Sequence, residues 1–525
     1  MTHQSDTHDT NDSKSSIGAT RRTFLKGVTA AGVCAIGTQT MSGTASAEIP
    51  YASDYGTVVN LVDDAGADPN EGDSITPLLR EYADDDTLLY LPGGRYYMDE
   101  QFRFTGFNNF GIIGEDDTTI VPADYYDFDD GGDWNYRLFR LGIAYSPGRD
   151  LRFQNITVDQ TADDTGVRVI ETAMDDGLIV RDVTINGQHD SGTWGPGRFV
   201  ITDSSGEGLV DNFSAADGGA WSGNTPADQL WRGPTGIICN RYNKGSITFK
   251  DCELGRFPDN GLYAANGSGQ IIVDGGYYEN SQTASIRIGG RDSIVKNATI
   301  SVNESSGHGN QHAIRAENAG YMRIIDCDVE VTDPNGDAIK SKNVGLLYVD
   351  GLNVKTSGND VCHALRLQDD TRQSRIKNST FTHEASGGFS LWIQDGEDPV
   401  HVEDSRFVGN GGDESARAAV RCDRDECNFR DLYVKQLGSS RRRALVNTGE
   451  DNLVYKGEFR SKEYPIIDHG VSSWIEGVYA NSERDLPGLR LTESASDTYV
   501  KKSHIVDGIR DDSNEVSGWG NDFSA

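Results

Sequence analysis

One phrase of alternating apolar and polar positions recurs along most of the chain: an apolar-alternating strand, then Asn or Asp, then a second short strand. It runs from Leu151 to Val158 about Asn155, Leu178 to Ile185 about Asp182, Ile247 to Leu254 about Asp251, Ile271 to Tyr277 about Asp274, and Ile294 to Ile300 about Asn297. Further copies break at Asp326, Asp350, Asn378, Asp404 and Asp431, and a frayed one spans Leu453 to Phe459. From Asp251 to Asp431 the breaks lie 23 to 29 residues apart, the length of one solenoid coil. Between the phrases sits another short strand, carried by Leu262-Tyr263, Ile286-Arg287, Ile314-Arg315, Ile339-Lys340, Leu365-Arg366, Leu391-Trp392 and Val420-Arg421. Three short strands per coil, stacked in register, predict an all-β, single-stranded parallel β-helix of about 11–13 coils around a narrow core. Asn or Asp at the fixed corner suits a turn that needs left-handed backbone and side-chain hydrogen bonds between coils.

The ends depart from the repeat. Residues 48–145 are expected to hold an N-terminal cap and the first coils, with a helix from Ile75 to Ala83 started by Asp73, Ser74 and Pro77. Residues 146–460 form the β-helix, and 461–525 a C-terminal capping segment. The stretch between Asp182 and Asp251 is too long for one coil; it predicts an irregular coil around Asn212 and then a loop bearing Trp221, Trp231 and Arg232. Ahead of all this, Arg21-Arg22-Thr23-Phe24-Leu25-Lys26, a mild apolar run from Gly27 to Gly37 and Ala45-Ser46-Ala47 make residues 1–47 a twin-arginine signal peptide. The expected location is therefore extracellular or cell-surface, with export in the folded state. No later run of 18 apolar residues exists, so no integral membrane segment is expected.

Composition narrows the partners. Across 525 residues, 48 Lys and Arg stand against 82 Asp and Glu, a formal net charge of −34. Nucleic acid, which demands a basic footprint, is not an expected partner. Acidic runs such as Asp84-Asp85-Asp86 resemble the proteins of extreme halophiles, in whose molar salt charge acts over only about 3 Å. A hydrophobic content of 36% fits a thin, elongated core. Six cysteines remain after the signal; their even number permits disulfides, while Cys252 and Cys327, inside the repeat, suit buried thiols.

The repeat and its start, Val62 to Asp68 followed by Thr87 to Tyr97, resemble the pectin-lyase-like right-handed parallel β-helix superfamily over roughly residues 56 to 460. More narrowly, Phe257 to Ile288 is similar to exported haloarchaeal β-helix proteins of unstated activity. The resemblance implies that the Leu-Tyr, Ile-Arg and Ile-Lys strands form the first sheet, whose outer face carries a substrate groove. Strand alternation then sends the apolar residues inward and turns Tyr263, Arg287, Arg315, Lys340, Arg366, Trp392 and Arg421 to solvent as one ladder. Stacked cations repel, and a repeating carboxylate or sulfate array would relieve them through bidentate Arg contacts. Small residues two positions earlier (Ser285, Ala313, Ala338, Ala364, Ser390, Ala419) are expected to leave a flat floor, with Tyr263 and Trp392 stacking on sugars and Trp231 in the groove wall. The alternative is that the cations pair with nearby acids, Arg315 with Glu317 and Arg421 with Asp423, on a solvated face.

For chemistry, His312, Asp337 and His363 stand at the strand entrances of consecutive coils as candidate acid, base or metal-binding groups. Lys340 or Lys342, set among other cations, would have a lowered pKa suited to abstracting a proton. Arg366 completes the catalytic candidates, and Arg287, Arg315, Lys342 and Arg421 the substrate-binding ones. Polysaccharide lyases of similar fold use this arrangement, with calcium or Arg neutralising the uronate; Ca2+ is thus a possible cofactor. Arg375-Ile376-Lys377 resembles a fragment of a hydrolase pattern, but the paired Asp residues needed for inverting hydrolysis are absent from the first sheet. The expected function is an exported carbohydrate-active protein that binds an acidic polysaccharide and cleaves it, if catalytic, by β-elimination. The alternative is a non-catalytic surface or matrix protein.

Overall fold

In the computed structural model the described residues are 49–128, 136–226, 230–305, 308–513 and 515–524. The expected signal peptide lies outside them. Each coil turns through three strands, as in Asn260–Ala264, Ile271–Asp274 and Tyr277–Glu279, and each strand pairs in parallel with its counterpart one coil later. The result is a right-handed parallel β-helix of about 17 turns. It exceeds the 11–13 coils read from the repeat because both ends coil as well. At the start, Thr57–Asn60, Thr87–Leu91 and Asn108–Gly114 stack on one another. From 461 on, Ile466–Asp468, Leu489–Leu491 and Ile509–Asp511 extend the first sheet, and Trp474–Ser482 and Tyr499–Lys501 the second.

The core follows from alternation. On the first sheet Leu262, Ile286, Ile314, Ile339, Leu365, Leu391 and Val420 are fully buried, and the residue that follows each remains partly exposed. Aromatic stacks such as Phe381 on Phe407, 5.0 Å apart and nearly parallel, run along the axis. Two arginines are fully buried as well. Arg424 donates to the carbonyls of Gln394, Thr371, Arg372, Asp398 and Gln368, and Arg442 to those of Gly388, Gly412 and Ala416, so each ties together corners that the strand ladders leave unpaired. All six described cysteines are buried free thiols; Cys252 and Cys327 point at backbone carbonyls.

The corner between the second and third sheets is left-handed at Asn155, Asp182, Asn212, Asp251, Asn297, Asp326, Asn378, Asp404 and Asp431. Asn212 donates to Asp182 in the preceding coil, and Asn297 and Asn378 to Asp274 and Asp350. At two coils the corner residue is not the Asp expected but the glycine after it, Gly275 (φ 74°) and Gly351 (φ 65°). The strand register demands this, since Lys250 pairs with Asp274 and Ile325 with Asp350. A Cβ on either glycine would clash with a carboxylate oxygen of the preceding corner, Asp251 for Gly275 and Asp326 for Gly351. Gly275→Ala is therefore expected to destabilise its coil by about 1–2 kcal/mol, combining left-handed strain with the displaced carboxylate. Faster amide exchange at the Asp251 and Asn297 corners would report it.

The helix is Thr76–Tyr82, with Pro77 in its first turn. Its N-cap is Ile75 rather than Ser74 or Asp73, because Ile75 is needed in the core. Between Asp182 and Asp251 one coil forms from Gly197–Ile201 and Glu207–Ala215, and the segment before Ile237–Ile238 is the loop that bears Trp221 and Trp231. Among the described residues no helix is long and apolar enough to cross a membrane.

Candidate functional site

The first-sheet register aligns one side chain from each of seven consecutive strands: Tyr263, Arg287, Arg315, Lys340, Arg366, Trp392 and Arg421. All seven are partly exposed. The same column continues toward the N-terminus through Ile238, Arg198, Glu171, Arg140 and Arg103, and toward the C-terminus through Val446, Ile467, Arg490 and Arg510. With strands about 4.8 Å apart, this is a linear array of cations along one flank. The small residues beside it do not form a floor. Ser285, Ala313, Ala338, Ala364, Ser390 and Ala419 are buried, and the four alanines pack within the hydrophobic core.

Most of the cations have partners. Glu317, 4% exposed, is shared by Arg287 at 2.5 Å and Arg315 at 2.6 Å. Arg366 donates to Gln394 Oε1 at 3.1 Å and lies 3.4 Å from Asp337. Arg421 pairs with Asp423 at 2.7 Å, and the Trp392 indole N–H donates to the same carboxylate. The guanidinium of Arg287 covers the Tyr263 ring at 4.5 Å and that of Arg366 covers Trp392 at 4.4 Å, so each aromatic already has a cation on one face. The pairs of Arg315 with Glu317 and of Arg421 with Asp423 are thus formed. Against these five cations the described residues place three carboxylates within ion-pair distance, and none of them reaches Lys340.

Lys340 is the exception among these five cations. Burial lowers its pKa; Asp337 works against that, and Arg366, Arg315 and Lys342 reinforce it. Lys342, in register with Glu317, is exposed.

The two histidines are neutral near pH 7, burial holding each at about 4. His312 is buried and its Nδ1–H donates to the Asp337 carbonyl at 2.7 Å, which leaves Nε2 as its acceptor. His363 Nδ1 accepts the Phe389 N–H at 3.0 Å, so its proton sits on Nε2, and the ring stacks on Phe389 and packs at a tilt against Trp392. His363 is thereby a hydrogen-bond donor at its free nitrogen, not a base. Burial raises the Asp337 carboxyl, with Arg366 and Lys340 opposing. His312, Asp337, Lys340, Arg366 and His363 come together on three adjacent coils.

Trp231 is exposed beside the strand entrances: Arg232, packed over its ring at 4.3 Å, donates to the carbonyls of Gln282 and His308. Trp221, Trp231 and His308 line a recess of about 430 Å³ there. Among the described residues no three His, Cys, Asp or Glu side chains cluster to hold a metal ion.

No protein-family model and no curated protein matches the sequence. Solved structures do. The catalytic domain of Agl-KA is 10% identical over 89% of this chain and 68% of that one, with a TM-score of 0.33. DFA-IIIase from Arthrobacter chlorophenolicus A6, without its lid, is 12% identical over 84% and 93%, with a TM-score of 0.34. The Streptococcus pneumoniae surface protein and adhesin PfbA is 9% identical over 89% and 100%, with a TM-score of 0.31. Likenesses this distant carry no functional argument, and the side chains must supply it.

Sequence reasoning missed Glu171 and the arginines around it. Arg137 and Arg168 each reach one of its oxygens at 2.6 Å, and Arg198 and Arg140 reach the other at 3.0 and 3.5 Å. The signal available was Arg198 directly before an apolar segment, Phe199 to Ile201, the same phrase as the later strands in a degraded form.

Proposed function

We propose that this chain is exported by the twin-arginine route and holds an acidic polysaccharide lengthwise along the outer face of the first sheet, with Lys340 as the base of a β-elimination. The observation that carries it is the single column of aligned cations on a chain of net charge −34: an outward face so unlike the rest of the composition needs an anionic counterpart. A polymer of uronate or sulfate units supplies negative charge at regular intervals.

Lys340 supports the catalytic part. An amine without its own carboxylate, with a pKa lowered by burial, is a better base at neutral pH than an ordinary lysine. It would take the proton on the carbon next to the uronate carboxylate. A carbon–carbon double bond then forms, the neighbouring glycosidic C–O bond breaks, and the leaving oxygen takes up a proton. Arg315 and Arg366, in register on either side, would stabilise charge developing on the carboxylate.

Lys340→Gln tests both parts. It is expected to leave stability within about 0.5 kcal/mol, since no ion pair is broken. Retention on immobilised alginate, pectate or a glycosaminoglycan should weaken about threefold to tenfold, with a shallower salt dependence. The ultraviolet absorbance of unsaturated uronate products, present with the wild type, should disappear. If wild-type protein binds a polymer yet none yields that absorbance, elimination is wrong and the chain only holds its ligand.

A further inference from the structure

The column does not end at Tyr263. Arg198 stands five strands before Lys340 on the first sheet, about 24 Å away at the usual strand spacing. Beside it opens a cavity of about 480 Å³, within the range of small-molecule sites, whose lining includes Arg168, Arg198, Arg241, Tyr242, Trp194 and Tyr263. It draws on both rims of the sheet: Trp194 precedes the strand Gly197–Ile201, and Arg241 with Tyr242 follows Ile237–Ile238.

Its walls have more donors than acceptors. Two of the lining guanidiniums, Arg168 and Arg198, share Glu171 with Arg137 and Arg140 behind them, and the buried Nε of Arg198 has no hydrogen-bond acceptor among the described residues. A buried donor left unmatched is costly, and native structures seldom keep one without a use. Arg241 has no carboxylate partner among the described residues; its Nη2 donates to the Tyr242 hydroxyl at 3.0 Å. In the same lining Trp194 is 58% exposed, and the partly exposed ring of Tyr242 lies under the guanidiniums of Arg241 at 5.0 Å and Arg198 at 5.8 Å. Surplus cationic donors beside exposed rings are what an anionic substituent on a pyranose ring requires.

We propose that this cavity is a separate subsite for one acidic sugar residue, its carboxylate or sulfate held by Arg198 and Arg241 and its ring laid against the aromatic wall of Tyr242 and Trp194. The inference rests on the acidic-polysaccharide function above and adds a second anchoring point, remote from Lys340, for the same polymer.

Calorimetric titration of the whole protein at low salt with glucuronate, glucose 6-sulfate, glucose and inorganic sulfate tests it. At least one charged sugar should bind, glucose should not, and sulfate alone should bind more weakly than the better charged sugar. Arg241→Ala and Tyr242→Ala, both at exposed positions, should each weaken that binding about tenfold, and Lys340→Gln should leave it unchanged. The subsite is refuted if neither charged sugar binds while polymer is still retained, a result that spares the groove. It is equally refuted if glucose or sulfate binds as well as the charged sugar, if Arg241→Ala and Tyr242→Ala bind like wild type, or if Lys340→Gln abolishes the signal.

Discussion

Glu171→Gln is expected to lower the unfolding free energy by about 3–5 kcal/mol at pH 7, the usual cost of stranding buried cations. Glu171 is 6% exposed, and Arg137 at 8% and Arg168 at 5% each pair with it. Burial alone would push its carboxyl up, but Arg168, Arg137, Arg198 and Arg140 together outweigh that and hold it at about 2. The unfolded carboxyl titrates near 4.5, so on acidification the unfolded chain takes up the proton first. The contribution is complete above pH 4.5 and is lost as pH falls through about 2; the gap corresponds to about 3 kcal/mol. Denaturation of wild type and variant across that window should show their difference shrinking steadily. A difference independent of pH would mean that shape, not charge, accounts for the loss.

The second large effect is a gain. Glu317 occupies both Arg287 and Arg315 in the middle of the column, and its side chain is all but inaccessible to solvent. Glu317→Gln releases two guanidiniums toward the groove and removes one negative charge from beneath the polymer. Affinity for a polyuronate is expected to rise about tenfold, one new charge-assisted contact. Stability should fall by about 1–3 kcal/mol, less than for Glu171, because Arg287 and Arg315 retain partial access to water. Immobilised-polymer binding at several salt concentrations measures this directly; unchanged or weaker binding would show that these arginines only brace the sheet. For the same reason Arg315→Ala is a poor probe of binding, since it leaves a buried carboxylate with Arg287 alone.

The coils were legible because a parallel β-helix writes its period into the chain. Side chains alternate within each short strand, and the left-handed corner admits few residue types. Alternation also made the column from Tyr263 to Arg421 readable, since the apolar neighbour of each member must face the core. The first coils were expected before residue 146, but their individual strands were not legible. There Phe102–Phe104 and Arg137–Leu141 place Arg103 and Arg140 on the same flank, but the intervening corners lack the Asn or Asp phrase. Asp274 and Asp350 misled in the opposite way: each matches the corner residue type, while the backbone turns at the glycine that follows.

Partnerships were decided in three dimensions. Glu317 and Arg287 lie 30 residues apart, and Arg424 bonds carbonyls up to 56 residues away, distances set by how coils stack and not by any local pattern. Composition and periodicity by themselves established a rod of stacked strands with a cationic flank, because burial of alternate side chains leaves few other ways to fold such a repeat. Which amine stays unpaired, which histidine nitrogen carries the proton and which arginines crowd around Glu171 depend on contacts a few ångströms long between successive coils, and only the tertiary structure decides them.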